Sequence, residues 1–327
     1  MITWTLRRFF QACFVVLAMT VIVFAGVHVI GNPVDILISP EADQAERARI
    51  IASMGLDQPL WKQYGYFLND VLHGDLGRSF VFNEPALKLI AQRMPATLEL
   101  AVTAVLFSML FGVPLGLYAG LKPDGFPGRA IMAGSILGFS LPSFWVGLML
   151  IMVFAVQLGW LPSTGRGETR MLFGIPWSFL TWDGLRHMLL PALNLALFNI
   201  SLVLRLTRAG VRETLPMDFI KFAHAKGLSP ARVIFVHVLK TIMIPIVTVL
   251  GLELGSTIAF AVVTESVFAW PGMGKLIIDS INVLDRPVIV AYLMMIVLLF
   301  ITINLIVDIL YMILDPRVRL APRSNGR

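Results

Sequence analysis

From Ala130 to Leu158 the chain carries no Asp, Glu, Lys or Arg. A helix rises about 1.5 Å per residue, so such a run exceeds the roughly 20 apolar residues that cross a hydrocarbon core of about 30 Å. The runs Phe9 to Ile30, Thr97 to Gly120, His187 to Leu204, Ile242 to Trp270 and Val288 to Leu314 are nearly as bare. Together they predict an all-α integral membrane protein with six transmembrane helices. Charged residues make up 14% of the chain and the mean hydropathy is +0.81. A soluble domain carries about a quarter charged residues, so that class is excluded.

The charge pattern sets an orientation. Arg7 and Arg8 precede the first run as in a secretory signal peptide, but the run is too long and lacks a convincing small-residue cleavage site, so it reads as an uncleaved span. With the N-terminus cytoplasmic, the inner segments hold Lys122 and Arg129, then Arg205 through Lys240, then Arg317, Arg319, Arg323 and Arg327. That is the positive-inside pattern, and it puts the C-terminus in the cytoplasm too. Residues 31–95 fall outside; a loop this long translocates largely regardless of charge. Asp57, Pro59, Trp61, Tyr64, Phe67 and Leu68 there read as short amphipathic helices on the outer face. The expected organisation is 1–30, tail and first span; 31–95, external region; 96–316, a five-helix core with a cytoplasmic loop at 208–241; and 317–327, a cytoplasmic tail.

The net charge of +6 does not point to nucleic acid, because the basic residues lie in loops between apolar runs rather than on a water-facing surface with stacking aromatics. The one cysteine, Cys13, can form no intramolecular disulfide and matches no metal-ligand spacing. Neither a metal nor another cofactor is expected.

Gly112, Gly116 and Gly120 recur at four-residue intervals, as do Gly134 with Gly138 and Gly251 with Gly255. Small residues at this spacing let helix backbones approach closely in lipid, either inside one subunit, which is the favoured reading, or between subunits. Pro142 and Pro245 are expected to bend or start helices.

The loop Arg208 to Ile234 is built like a short helix, a sharp turn and a second helix. Asp218 is placed to N-cap the first, Gly227 to take the left-handed position that ends it, and Ser229 with Pro230 to start the second. Phe219, Phe222 and Ala223 fall on one side of the short helix, Lys221 and His224 elsewhere. The aromatic surface is covered either by a partner or by the ends of the bundle.

This loop resembles the cytoplasmic segment of ATP-binding-cassette importer permeases that reads E-A-A, three residues, G, nine residues, I-x-L-P. Gly227 falls on the motif glycine, Ala223 on its second alanine and Leu239 on its leucine, while Lys221, Phe222, His237 and Lys240 depart from it. The run Ala223-His-Ala-Lys-Gly-Leu-Ser-Pro230 is similar to the dipeptide, oligopeptide and nickel branch of that family. So are Leu6-Arg-Arg, Gly55-Leu-Asp-Gln-Pro-Leu, Gly74-Asp-Leu-Gly-Arg-Ser-Phe80, Ser140-Leu-Pro-Ser-Phe-Trp145, Thr264-Glu-Ser-Val-Phe-Ala-Trp-Pro-Gly-Met-Gly274 and Asp315-Pro-Arg-Val-Arg319.

The resemblance implies a type I importer permease in a bacterial inner membrane, paired with a second, similar permease, two ATP-binding subunits and an external solute-binding protein. It implies peptide cargo, with nickel complexes, glutathione-like compounds and small saccharides as alternatives. It assigns ATPase coupling to Phe219, Phe222, Ala223, Ala225, Lys226, Gly227, Ser229 and Pro230. No G-x-x-x-x-G-K-[ST] phosphate loop occurs, so ATP hydrolysis is expected of partner subunits, not of this chain.

Glu253 falls mid-way along the fifth span, where a carboxylate costs a few kcal/mol unless it meets water or a partner. It is read either as facing a cation of the substrate or partner, or as a neutralised packing residue. Glu265 is a candidate outer-gate or docking residue, and Ser140 and Pro142 are candidates for the path. Asp308 is read as structural, pairing with an arginine, and His187 as an interfacial residue. The cross-class alternative is a proton-coupled carrier with Glu253 as proton site, but such a carrier has no use for the loop from Arg208 to Lys240.

Overall fold

The computed structural model describes residues 2–29, 44, 49, 52 and 57–314. The expectations for Gly55, for most of 31–56 and for the tail from Asp315 onward lie outside the described residues. The elements are α1 (Ile2–Val29), α2 (Leu60–Leu72), α3 (Ala86–Leu121), α4 (Phe126–Ser140), α5 (Ser143–Gln157), β1 (Arg170–Leu172), β2 (Ile175–Trp177), α6 (Trp182–Thr214), α7 (Asp218–Ala225), α8 (Pro230–Val267), α9 (Met273–Asn282) and α10 (Arg286–Leu314). β1 and β2 form an antiparallel hairpin with Leu172 opposite Ile175.

By length and composition α3, α6, α8 and the described part of α10 each suffice to cross a membrane. The span expected over Ala130 to Leu158 is instead two helices, α4 and α5, bent by 108°. The cause is local. Pro142 has no N–H to give and disfavours helical backbone at the residue before it. Leu141 accordingly sits at φ −81°, ψ 137° and Pro142 at φ −60°, ψ 131°. Pro245, by contrast, lies within a continuous α8. In α1 the stretch Phe10–Gly26 is apolar and at the short end of spanning length.

The chain forms two compact units, Met1–Gln92 with Leu276–Ile301, and Arg93–Lys275 with Thr302–Arg327. In the first, the Thr20 and Tyr64 hydroxyls hydrogen-bond at 2.8 Å, and Phe24 meets the Tyr64 ring edge-on at 5.4 Å. Val23 is buried with Val290 and Met294, and Phe67, Val71 and Leu76 pack on that cluster. The segment Gly74–Phe80 turns through left-handed Gly74 and Gly77, at φ +74° and +83°, and the Gly77 N–H donates to Asp75 at 2.9 Å. Ser79 then donates to the buried carboxylate of Asp285.

In the second unit α6 is the central post. Cβ atoms added at Gly112, Gly116 and Gly120 would lie 2.8 Å from Val203, 2.5 Å from the Leu204 carbonyl oxygen and 2.8 Å from Val211. The glycine stripe of α3 is therefore the groove that receives α6, as close packing within one chain. Asn194 donates to Thr264 at 3.0 Å and Asn199 to Thr257 at 2.9 Å, and Gly210 faces Ile242, so α8 runs antiparallel to α6.

Candidate functional site

α6 and α8 carry both features of interest: a cavity along their length and the loop that joins them. The loop holds α7, whose Ile220 and Ala223 are buried with Val211, Val233, Val238 and Ile242. Leu215 and Leu228, partly buried, pack against this cluster. The opposite side of α7 is open. Phe219 is 43% and Phe222 61% exposed, so apolar rings stand in solvent while the small residue beside them is the anchor. Ala223 thus belongs with Ile220 on the packed face, not with the two phenylalanines.

Local chemistry shapes the turn. Asp218 does not cap α7, as expected of it; Met217 holds the N-cap position without a side-chain bond, and Asp218 instead pairs with Lys221 at 2.9 Å on the surface. Gly227 takes φ +75°, its N–H donating to the His224 carbonyl at 2.9 Å. Ser229 caps α8 by accepting from the Arg232 N–H, with Pro230 at the first helical position. Lys226 lies over the Phe222 ring at 4.6 Å and Ala225 ends α7.

Further along the same two helices, α4, α5, α6 and α8 enclose an open cavity of about 380 Å³. Asn194 and Asn199 on α6, Glu253 and Ser256 on α8, and Phe139 and Leu141 at the end of α4 line it. Phe139 and Phe198 stack at 4.9 Å, and the Arg205 guanidinium covers Phe139 at 4.8 Å. The break at Leu141–Pro142 lies at this cavity, with Leu141 among its lining residues. Ser140 and Pro142 are not among the lining residues; their neighbours Phe139, Leu141 and Ser143 are, and the Ser140 hydroxyl donates to the Ile136 carbonyl at 2.8 Å.

Glu265 is placed elsewhere. It is fully buried, accepting from Thr97 Oγ1 at 2.6 Å and from the Lys275 N–H at 3.0 Å, while the same threonine oxygen accepts from the Met273 N–H at 2.8 Å. Gly272 and Gly274 press on its carboxylate so closely that neither has room for a Cβ. Trp270, also fully buried, donates to the Ala96 carbonyl at 3.0 Å. The Thr264–Gly274 run is thus a tightly bonded corner organised around Glu265. His187 lies on the first turns of α6, its Nδ1 2.8 Å from the Asp183 carbonyl oxygen and 3.5 Å from that residue's carboxylate.

One buried constellation went unread in the sequence. Glu99 on α3 is 4% exposed and meets Arg166 at 2.7 Å. Its other oxygen accepts from the N–H groups of Ser178 and Phe179 at 2.7 and 2.8 Å. The signal was a single acid at the start of an otherwise bare run.

Apolar helices of spanning length, a helix broken at a proline, and a short helical elbow between two long helices are the features of a polytopic membrane permease. The family described as "Binding-protein-dependent transport system inner membrane component" matches residues 112–320, and the corresponding N-terminal family matches residues 1–101. The chain belongs to this family of binding-protein-dependent importer permeases.

Among curated relatives, the di/tripeptide transport system permease protein DppB of Pseudomonas aeruginosa is 39% identical, over 92% of this chain and 94% of its own. The dipeptide transport system permease protein DppB of Escherichia coli is 36% identical over 98% and 99%, and the glutathione transport system permease protein GsiC of Salmonella typhimurium is 36% identical over 98% and 99%. A solved structure of the MetNI methionine ABC transporter in an inward-facing conformation matches with a TM-score of 0.51. It is 16% identical and covers 69% of this chain and 96% of that one, a likeness of fold alone.

Proposed function

We propose that this permease forms half of the translocation path of an ATP-driven peptide importer of a bacterial inner membrane, taking di- or oligopeptides from an external binding protein. A second, similar permease supplies the other half, and two partner subunits hydrolyse ATP. The observation that carries this reading is the α7 elbow, whose inner face is packed into α6 and α8 while Phe219 and Phe222 are left in solvent. A self-contained carrier has no use for such an elbow. A partner that gains Phe219 and Phe222 gains a handle on both long helices.

The mechanical consequence follows from continuity. α6 runs unbroken from Thr214 beside the elbow to Asn194 at the cavity, about 30 Å at 1.5 Å per residue. α8 likewise joins Ser229 to Glu253 and Thr264. A displacement of α7 by closing ATPase subunits is therefore delivered to two walls of the cavity by rigid rods, a two-state change of the shear type. Glu253, Ser140 and Pro142 belong to the path in this reading, and Glu265 holds the corner at its far end.

Peptide cargo follows from the relatives, two of them named for di- or tripeptides and one for glutathione, itself a peptide. The test is uptake of labelled dialanine by cells lacking the chromosomal copy, with this chain or Phe219→Ser/Phe222→Ser supplied in trans. The double variant should insert normally, lose its co-purifying P-loop subunits and lose uptake. A chain that purifies alone and moves solute under a proton gradient without ATP would overturn the reading.

A further inference from the structure

Glu253 is the unusual group in the cavity. It sits mid-way along α8, partly buried, and among the described residues its carboxylate has neither an ion pair nor a hydrogen bond; only its backbone carbonyl is engaged, accepting from Thr257 at 2.7 Å. A carboxylate at membrane depth is retained at a cost of a few kcal/mol, and such groups face a water-filled cavity and mark substrate pathways. Glu253 does line the open cavity, one turn from Ser256. Elsewhere on the wall Phe139 stacks on Phe198, the amide nitrogens of Asn194 and Asn199 are committed to Thr264 and Thr257, and Ser143 and Ser256 add hydroxyls. Asn194 Oδ1, buried at the same wall, has no hydrogen-bond partner. The lining residues therefore offer one acidic group, the rings of Phe198 and Phe260 and no cation; Arg205, outside the lining, stands over the Phe139 ring at 4.8 Å.

Taking the cavity as part of the translocation path, as proposed above, we infer that Glu253 is a specificity-determining residue that holds the protonated amine of a passing peptide, and so selects cargo with a free ammonium group. Ammonium and carboxylate pair in a charge-assisted hydrogen bond, and aromatic faces favour a nearby cation. Dipeptides satisfy this with their amino terminus, whereas N-acylated peptides leave the carboxylate unpaired.

The experiment uses the assembled importer in lipid nanodiscs, with Cys13→Ser and Ser256→Cys as background. Two modification rates are measured for the introduced thiol, with a cationic and with an anionic methanethiosulfonate reagent, in the presence of Glu253, Glu253→Gln or Glu253→Asp. With Glu253 the cationic reagent should be favoured, and Glu253→Gln should lower the cationic-to-anionic ratio about tenfold, as expected for loss of one nearby charge. Glu253→Asp should retain most of the preference. Dialanine should slow modification when Glu253 is present, and N-acetyl-dialanine should not; with Glu253→Gln that distinction should vanish. A charge ratio indifferent to Glu253→Gln while dialanine still protects would overturn the role of Glu253 and leave the cavity in the path. Failure of every peptide to protect the introduced thiol, whatever the ratio, would remove the cavity from the path and the inference with it.

Discussion

Arg166 places a guanidinium nitrogen 2.7 Å from a carboxylate oxygen of Glu99, with the two side chains only 11% and 1% exposed. Arg166 also donates to Ser178 Oγ at 2.9 Å and to the Pro176 carbonyl at 2.8 Å. Glu99 meanwhile receives the backbone of Ser178 and Phe179. One carboxylate on α3 thereby ties down both ends of the connection that carries the β1–β2 hairpin.

Breaking this pair from one side should be costly. Removing one partner of a buried ion pair leaves the other charge uncompensated, at about 3–5 kcal/mol. Arg166→Ala should therefore lower the thermal midpoint of the detergent-purified chain and open residues 159–181 to protease. Glu99→Ala, which also strands the Ser178 and Phe179 N–H groups, should be at least as severe. An unchanged melting temperature in both variants would mean that the pair does not organise this connection.

The glycine groove gives a sharper contrast. A methyl at Gly116 would lie 2.5 Å from the Leu204 oxygen and 2.6 Å from Thr207 Cβ, whereas one at Gly134 would meet nothing within 4 Å. Overpacking of this kind costs about 1–3 kcal/mol, while alanine for glycine in open helix gains roughly 0.5–1 kcal/mol. Gly116→Ala should thus lower both yield and thermal midpoint, and Gly134→Ala should leave them unchanged or raised. Equal behaviour of the two would show that α3 and α6 do not meet at Gly116.

Much of the fold is readable without the structure, for reasons that differ by residue. The spans of α3, α6, α8 and α10 follow from run length, because hydrocarbon imposes a minimum length, but the run Ala130 to Leu158 passes the same test and is nonetheless broken at Pro142 into two helices. The glycine stripe and the Gly227–Ser229–Pro230 turn are legible because each is decided by local backbone chemistry: close approach in one case, a positive φ and a cap in the other. The pairing of Glu99 with Arg166 bridges 67 positions and depends on how the hairpin connection folds back, which no window of sequence reports. Asp218 reads as a cap in the sequence because aspartate favours that position, yet the boundary falls one residue earlier, at Met217. Which side of α7 is buried depends on where Val211 and Val238 lie, so Ile220 and Ala223 become the anchor and the larger phenylalanines are left out.

Gly227 joins the readable part to the functional part. Its φ of +75° is the left-handed region, yet a Cβ there would meet nothing within 4 Å. The cost of a side chain is therefore one of backbone conformation alone, about 1–2 kcal/mol for a β-branched residue and less for asparagine. A penalty of that size changes the population of the native turn by a factor of about 5–30. Gly227→Val should leave membrane insertion intact but loosen α7 from its seat, lowering dialanine uptake and retention of the ATPase subunits together, while Gly227→Asn should keep most of both. Uptake by Gly227→Val at the normal rate would show that transport does not depend on the elbow holding this geometry. Equal loss in Gly227→Asn would show instead that the partner subunits, rather than the backbone, require a residue without a side chain at this position.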